Sequence, residues 1–209
     1  MLYCDAFFQS LPNPLIPLCH TPELTMKLNE RSSWSVKDES IAEELAVLMN
    51  LDGSESETLS ALESEAEGRA RDMTEDFYDR LFSHENTKEY FEGHNMEHLH
   101  SMIGDWFVEL FRGTYDSEYV ENRLKIGYIH VKIGLPVRYP LAMIDIISQH
   151  GEAVAAQSDD PETAQKAFKK VLALDVAIFN QAYEDNQLKH LSELVGGERL
   201  ARRLLMGMG

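Results

Sequence analysis

The stretch from Arg123 to Tyr139, RLKIGYIHVKIGLPVRY, sets one histidine among apolar neighbours. Ile126, Ile129 and Ile133 surround His130 at helical spacing, and Gly134-Leu135-Pro136 ends the helix a turn later. No carboxylate stands one turn before His130, because Ile126 holds that place. A neutral imidazole near a helix C-terminus is therefore expected. Gly127, three residues earlier, is read as lying on the same side, where a missing side chain would admit something broad and flat. A neutral imidazole beside a flat apolar slot has what an axial haem ligand needs. On burial tendencies alone, the competing reading is a core histidine satisfied by a backbone carbonyl.

A second constellation points to different chemistry. His94, Glu97 and His98 spell H-x-x-E-H, the order in which one class of zinc hydrolases arranges two ligands and a general base. Gly93 and Asn95 put the pattern at a helix start, and no third ligand suggests itself, so the competing reading is a solvated surface for His94, His98 and His100. His98 could also turn inward beside Leu99.

These groups must be held by helices, since strand patterning is absent. From Ser35, Ile41, Leu45 and Leu48 repeat at four and three; Leu59, Leu62 and Ala66 follow on one face, with Gly68 as a joint before the helix bearing Phe77, Tyr78, Leu81 and Phe82. A helix over about Met96 to Arg112 carries Leu99, Met102, Ile103, Trp106, Leu110 and Phe111. Asp116 is the expected N-cap of the His130 helix. After Pro136 a helix reaches about Ala156, and SDDPETAQ opens another with Pro161 in its first turn and Phe168, Val171, Leu172, Leu174, Ile178, Phe179 and Tyr183 inward.

Composition excludes several partners. With 19 Lys and Arg against 36 Asp and Glu, the formal charge is -17, which repels phosphate backbones and anionic lipid heads and suits a salt-rich cytoplasm. Neither nucleic acid nor a membrane surface is an expected partner, and no window has the apolar length of a membrane span. Cys4 and Cys19 both lie near the N-terminus, so no disulfide framework holds the core and a reducing, cytoplasmic location is expected. Pro12, Pro14, Pro17 and Asp5 interrupt the first apolar runs, which mark an extension with Met26 as an alternative start.

The segment RLKIGYIHVKIGL, with FRGTYDSEYVEN before it and DMTEDFYDRLFSHENTKEYF further back, resembles the haem-binding globin domain of globin-coupled sensors, within the protoglobin superfamily that includes the aerotaxis transducers. The likeness runs from about Asp38 to His190. Its most specific part joins H-x-x-I-G-L at His130 to Leu135 with F-Y-D-x-L at Phe77 to Leu81.

The resemblance implies an all-α globin fold, a helical sandwich with a pre-globin helix. It divides the chain into an N-terminal extension over 1–34, a sensor globin domain over 35–190 and a helical tail or linker over 191–209. It implies haem b, its iron held by His130 Nε2 while Nδ1–H donates to a carbonyl such as that of Ile126. Tyr78 becomes the distal hydrogen-bond donor, with Phe77 beside it. Leu99, Met102 and Ile103 form the far wall, and Ile126, Gly127, Ile133 and Tyr139 complete the lining. The ligands implied are dioxygen and other diatomic gases, bound for sensing and signal transduction by a homodimer paired through the last two helices, without enzymatic turnover. A stand-alone globin for gas binding or nitric oxide and redox chemistry is the alternative, and a zinc-dependent hydrolase a distant one. Met102 departs from relatives with threonine there, and Pro140 after Tyr139 departs from an aromatic pair. After His190 too little chain remains for an output module, which leaves a sensor domain cut from a longer protein or a stand-alone globin.

Overall fold

The structure, a computed structural model, describes Val36 and residues 39–207. The expectations for residues 1–34, with both cysteines and Met26, lie outside the described residues. Nine helices follow one another among the described residues, and no strand: α1 (Glu39–Met49), α2 (Gly53–Ser60), α3 (Glu63–Phe82), α4 (Glu85–Lys88), α5 (Met96–Glu109), α6 (Ser117–Lys132), α7 (Arg138–Ala155), α8 (Pro161–Val195) and α9 (Glu198–Leu205). A 3₁₀ turn, Glu89–Phe91, follows α4.

Local chemistry sets most of these boundaries. Asp116 accepts from the Tyr119 amide at 3.1 Å and opens α6, while Asp160 accepts from Thr163 at 3.2 Å ahead of Pro161. Gly134, at φ +73°, closes α6, and the Leu135 amide returns to the His130 carbonyl at 3.0 Å. Three expectations are corrected. Gly68 lies inside the continuous α3, and the joint falls at Ala61–Leu62. Leu48 is 74% exposed, and Met49 packs inward in its place. α5 ends at Glu109 rather than Arg112. The helix through residues 190 and 191 is unbroken to Val195, where Gly196 adopts the left-handed conformation.

The helices form two packed layers. α3 lies against α5 and α7, whereas α6 lies against α8, and α7 packs on α8 to join the two groups. Phe107, Phe111 and Phe168 centre the main core, with Phe111 and Phe168 stacked at 5.3 Å. A second core of Tyr119, Val120, Leu124, Leu174, Ile178 and Ala182 seats α6 on α8. A third, of Tyr78, Leu81, Met143 and Ile146, joins α3 to α7. No helix among the described residues is long and apolar enough to cross a membrane.

Candidate functional site

Helix α6 has two apolar faces with different fates. Val120, Leu124 and Gly127 are buried against α8. A Cβ on Gly127 would stand 2.5 Å from that of Ala182 and 3.2 Å from the Phe179 carbonyl oxygen. Gly127 thus lets α8 come close, which corrects the expectation that it faces the slot. Gly127→Ala should lower stability by about 1 to 3 kcal/mol through overpacking, read as a lower denaturant midpoint.

The other face carries Ile126, Ile129, His130 and Ile133. Here Ile129 and Ile133 remain 53% and 46% exposed, an apolar surface that the protein itself leaves uncovered. His130 is half-buried between the two faces, with its ring meeting Phe179 edge-on at 5.3 Å. Its Nδ1 lies 2.7 Å from the Ile126 carbonyl oxygen. A carbonyl only accepts, so Nδ1 holds the proton and Nε2 presents a lone pair. Nε2 has no protein partner among the described residues. Burial lowers the pKa of the imidazole, outweighing the opposing effect of the Ile126 hydrogen bond, so the ring is neutral at pH 7.

Helices α5 and α6 are bridged at one end by Arg123, whose guanidinium donates to Glu109 and to the Trp106 carbonyl. From that bridge Met102 is one turn back along α5, and His130 two turns forward along α6. Each helix packs chiefly on a different partner, α5 on α3 and α6 on α8. On α5 Met102 is likewise 46% exposed. Leu99 and Ile103 are half-buried against the Tyr78 cluster.

Tyr78 is buried within a set of rings. Phe77 and Phe91 meet it edge-on at 5.3 and 5.7 Å, and Phe82 stacks at 5.8 Å. Its hydroxyl has no protein hydrogen-bond partner among the described residues, and burial pushes its pKa up to about 12, so it keeps its proton as a donor. Tyr139 sits apart from this set, 6.3 Å from His84 and 6.4 Å from Tyr90, with Arg138 over its ring at 4.7 Å.

The H-x-x-E-H pattern does not form a metal site. Asn95 is the N-cap of α5, so His94 lies outside the helix, and His94, Glu97 and His98 are all exposed. Among the described residues no group of three His, Cys, Asp or Glu side chains is placed to hold a metal.

Two features escaped the sequence reading. His100, expected on the surface, is half-buried and stacks on Tyr78 with centroids 4.4 Å apart and planes 9° from parallel. Its register with Ile103, Gly104 and Phe107 was the available signal. Arg123 is fully buried and paired with Asp175 on α8, which also accepts from Tyr119 and, at 3.1 Å, from Trp106 Nε1. Arg123 stands in the buried register of Val120, Leu124 and Gly127.

An all-α sandwich with a neutral, carbonyl-anchored histidine on one helix and a buried tyrosine on another defines a globin. The Protoglobin family model matches residues 38–189, and the chain belongs to that family. The Heme-based aerotactic transducer HemAT of Halobacterium salinarum is 29% identical over 168 residues, which cover 72% of this chain and 34% of the transducer. The chain thus spans about a third of the length of that curated relative. The globin domain of a Geobacter sulfurreducens globin-coupled sensor matches with a TM-score of 0.63 at 29% identity, over 68% of this chain and 96% of that domain.

Proposed function

We propose that this chain is a haem-binding sensor globin that takes dioxygen and other diatomic gases. The observation that carries the reading is His130: Nδ1 is committed to the Ile126 carbonyl, so the neutral ring offers Nε2 on the helix whose Ile129 and Ile133 are left uncovered. That donor set and apolar surface fit a haem. The sequence contains no C-x-x-C-H attachment motif, which favours haem b, held without covalent links. When bound, the haem supplies a ferrous iron with an open coordination position.

The remaining work falls to side chains. His130 holds the cofactor, and its partner is a neutral carbonyl rather than a carboxylate, which favours reversible gas binding over peroxidase chemistry. Tyr78 offers a proton that the fold leaves without a partner, and a polar gas ligand can accept it. The sensing role, the cytoplasmic location and pairing through α7 and α8 rest on the likeness to globin-coupled sensors.

Dioxygen carries more partial negative charge in such a site than carbon monoxide, so Tyr78 should hold it by about 1 to 3 kcal/mol. Tyr78→Phe should raise the dioxygen dissociation rate about tenfold or more, with a much smaller effect on carbon monoxide. Stopped-flow displacement measures both rates. An unchanged dioxygen rate would reduce Tyr78 to a packing residue.

A further inference from the structure

Tyr78 can donate usefully to a gas only if its phenol is held in one direction, and the residues that hold it are unequal. Phe77 and Phe91 meet its ring edge-on with centroids 5.3 and 5.7 Å apart, and Phe82 stacks on it at 5.8 Å. His100 is closer than any of them, at 4.4 Å, and nearly parallel at 9°. It also comes from a different helix. Phe77 and Phe82 share α3 with Tyr78 and move with it, whereas His100 belongs to α5, the helix that carries Leu99, Met102 and Ile103. The imidazole makes no hydrogen bond with the protein among the described residues, so no polar partner explains its half-buried place. What it does there is lay a flat face on the phenol.

We infer that His100 is a positioning residue for Tyr78: its ring restrains the phenol, and fixes the direction of the donated proton relative to α5. The inference rests on the assignment of Tyr78 as the gas donor. Stacked rings give modest restraint individually, so the effect of losing it should be smaller than that of losing the hydroxyl.

The test uses the haem-loaded protein in four forms: unmodified, His100→Ala, His100→Phe and His100→Ala combined with Tyr78→Phe. His100→Ala should raise the dioxygen dissociation rate about three- to tenfold. In the ferrous carbon monoxide form its C–O stretching band should broaden or split as the phenol samples several directions. His100→Phe, which keeps a flat ring, should restore both readouts. In the Tyr78→Phe background His100→Ala should add nothing, because the effect passes through the hydroxyl. Equal damage from Ala and Phe would show that the imidazole contributes a polar group of its own. An additive effect on Tyr78→Phe, or no effect in any form, would also overturn the inference. A six-coordinate low-spin ferrous spectrum abolished by both substitutions would instead make His100 an iron ligand.

A readout that does not depend on gas separates this idea from the donor assignment. With ring-labelled tyrosine, the Tyr78 carbon resonance should be single and sharp in the unmodified protein and broad or multiple in His100→Ala. An unchanged resonance overturns the positioning role even if Tyr78→Phe behaves as a donor mutant. A changed resonance with a normal dissociation rate in Tyr78→Phe places the failure in the donor assignment. Should His100→Ala fail to fold, His100→Leu fills the space without a flat face and is read by the same criteria.

Discussion

His130→Ala protein is expected to emerge from purification with little or no haem, its affinity for haem lowered on the order of a hundredfold or more. Outer partners of metal-bound histidines alone are worth about ten- to a hundredfold, and removing the ligand itself costs more. The fold supplies no substitute on that face, since its other members are Ile126, Ile129 and Ile133. Because a ligand that binds only the folded chain stabilises it, the variant should also melt at a lower temperature than the haem-loaded parent, and the difference should vanish when both are compared without haem. Haem content per chain, from the pyridine haemochrome spectrum, checks the first point. His94→Ala, on an exposed side chain outside α5, should leave haem content unchanged.

Asp175→Ala should be the most destabilising single change at the other end of α6. Asp175 joins three helices: its carboxylate accepts from Tyr119 and Arg123 of α6 and from Trp106 of α5. Arg123 is among the largest fully buried side chains, with its charge also facing Glu109 and its plane over Tyr119 at 4.3 Å. Burial opposes that charge, but Asp175, Tyr119 and Glu109 together raise the guanidinium pKa above its ordinary value. Removing one member of such a buried pair leaves the other uncompensated and costs about 3 to 5 kcal/mol. For a domain of this size that corresponds to a fall in Tm on the order of ten degrees. Asp175→Asn keeps an acceptor and should lose less, and replacing Arg123 and Asp175 together by apolar residues should lose less than Asp175→Ala alone. Chemical denaturation of the four proteins gives the comparison. A loss below about 1 kcal/mol in Asp175→Ala would mean that water reaches Arg123 and takes over the carboxylate's role.

How much of this was legible in the sequence follows from the range over which each signal acts. Asp116, Asp160 with Pro161, and Gly134 are local devices, and each marks its helix end as expected. Gly68 misleads because a helical glycine costs only about 1 kcal/mol and nothing within 4 Å requires it, while the true joint at Ala61–Leu62 contains no turn residue and is set by the buried Leu59 and Leu62. His130 and Tyr78 stand in contiguous motifs, and their proposed roles could be put forward from those motifs alone. His100 could not, since its significance is a contact with a residue on another helix. Asp175 is likewise a carboxylate on an apolar stripe until Arg123, Tyr119 and Trp106 arrive from distant parts of the chain. Gly127 shows the limit of facial assignment: on α6 it is one short step around from His130, and only the position of Ala182 shows which helix approaches there.

The absorption spectrum of the purified protein, reduced and then exposed to carbon monoxide or dioxygen, tests the central claim most directly. The account predicts about one haem b per chain, a five-coordinate histidine-ligated ferrous spectrum, and conversion to distinct gas-bound spectra that reverse when the gas is removed. Stoichiometric haem whose ferrous histidine-ligated spectrum survives in His130→Ala, or a parent protein that cannot take up haem at all, would contradict it.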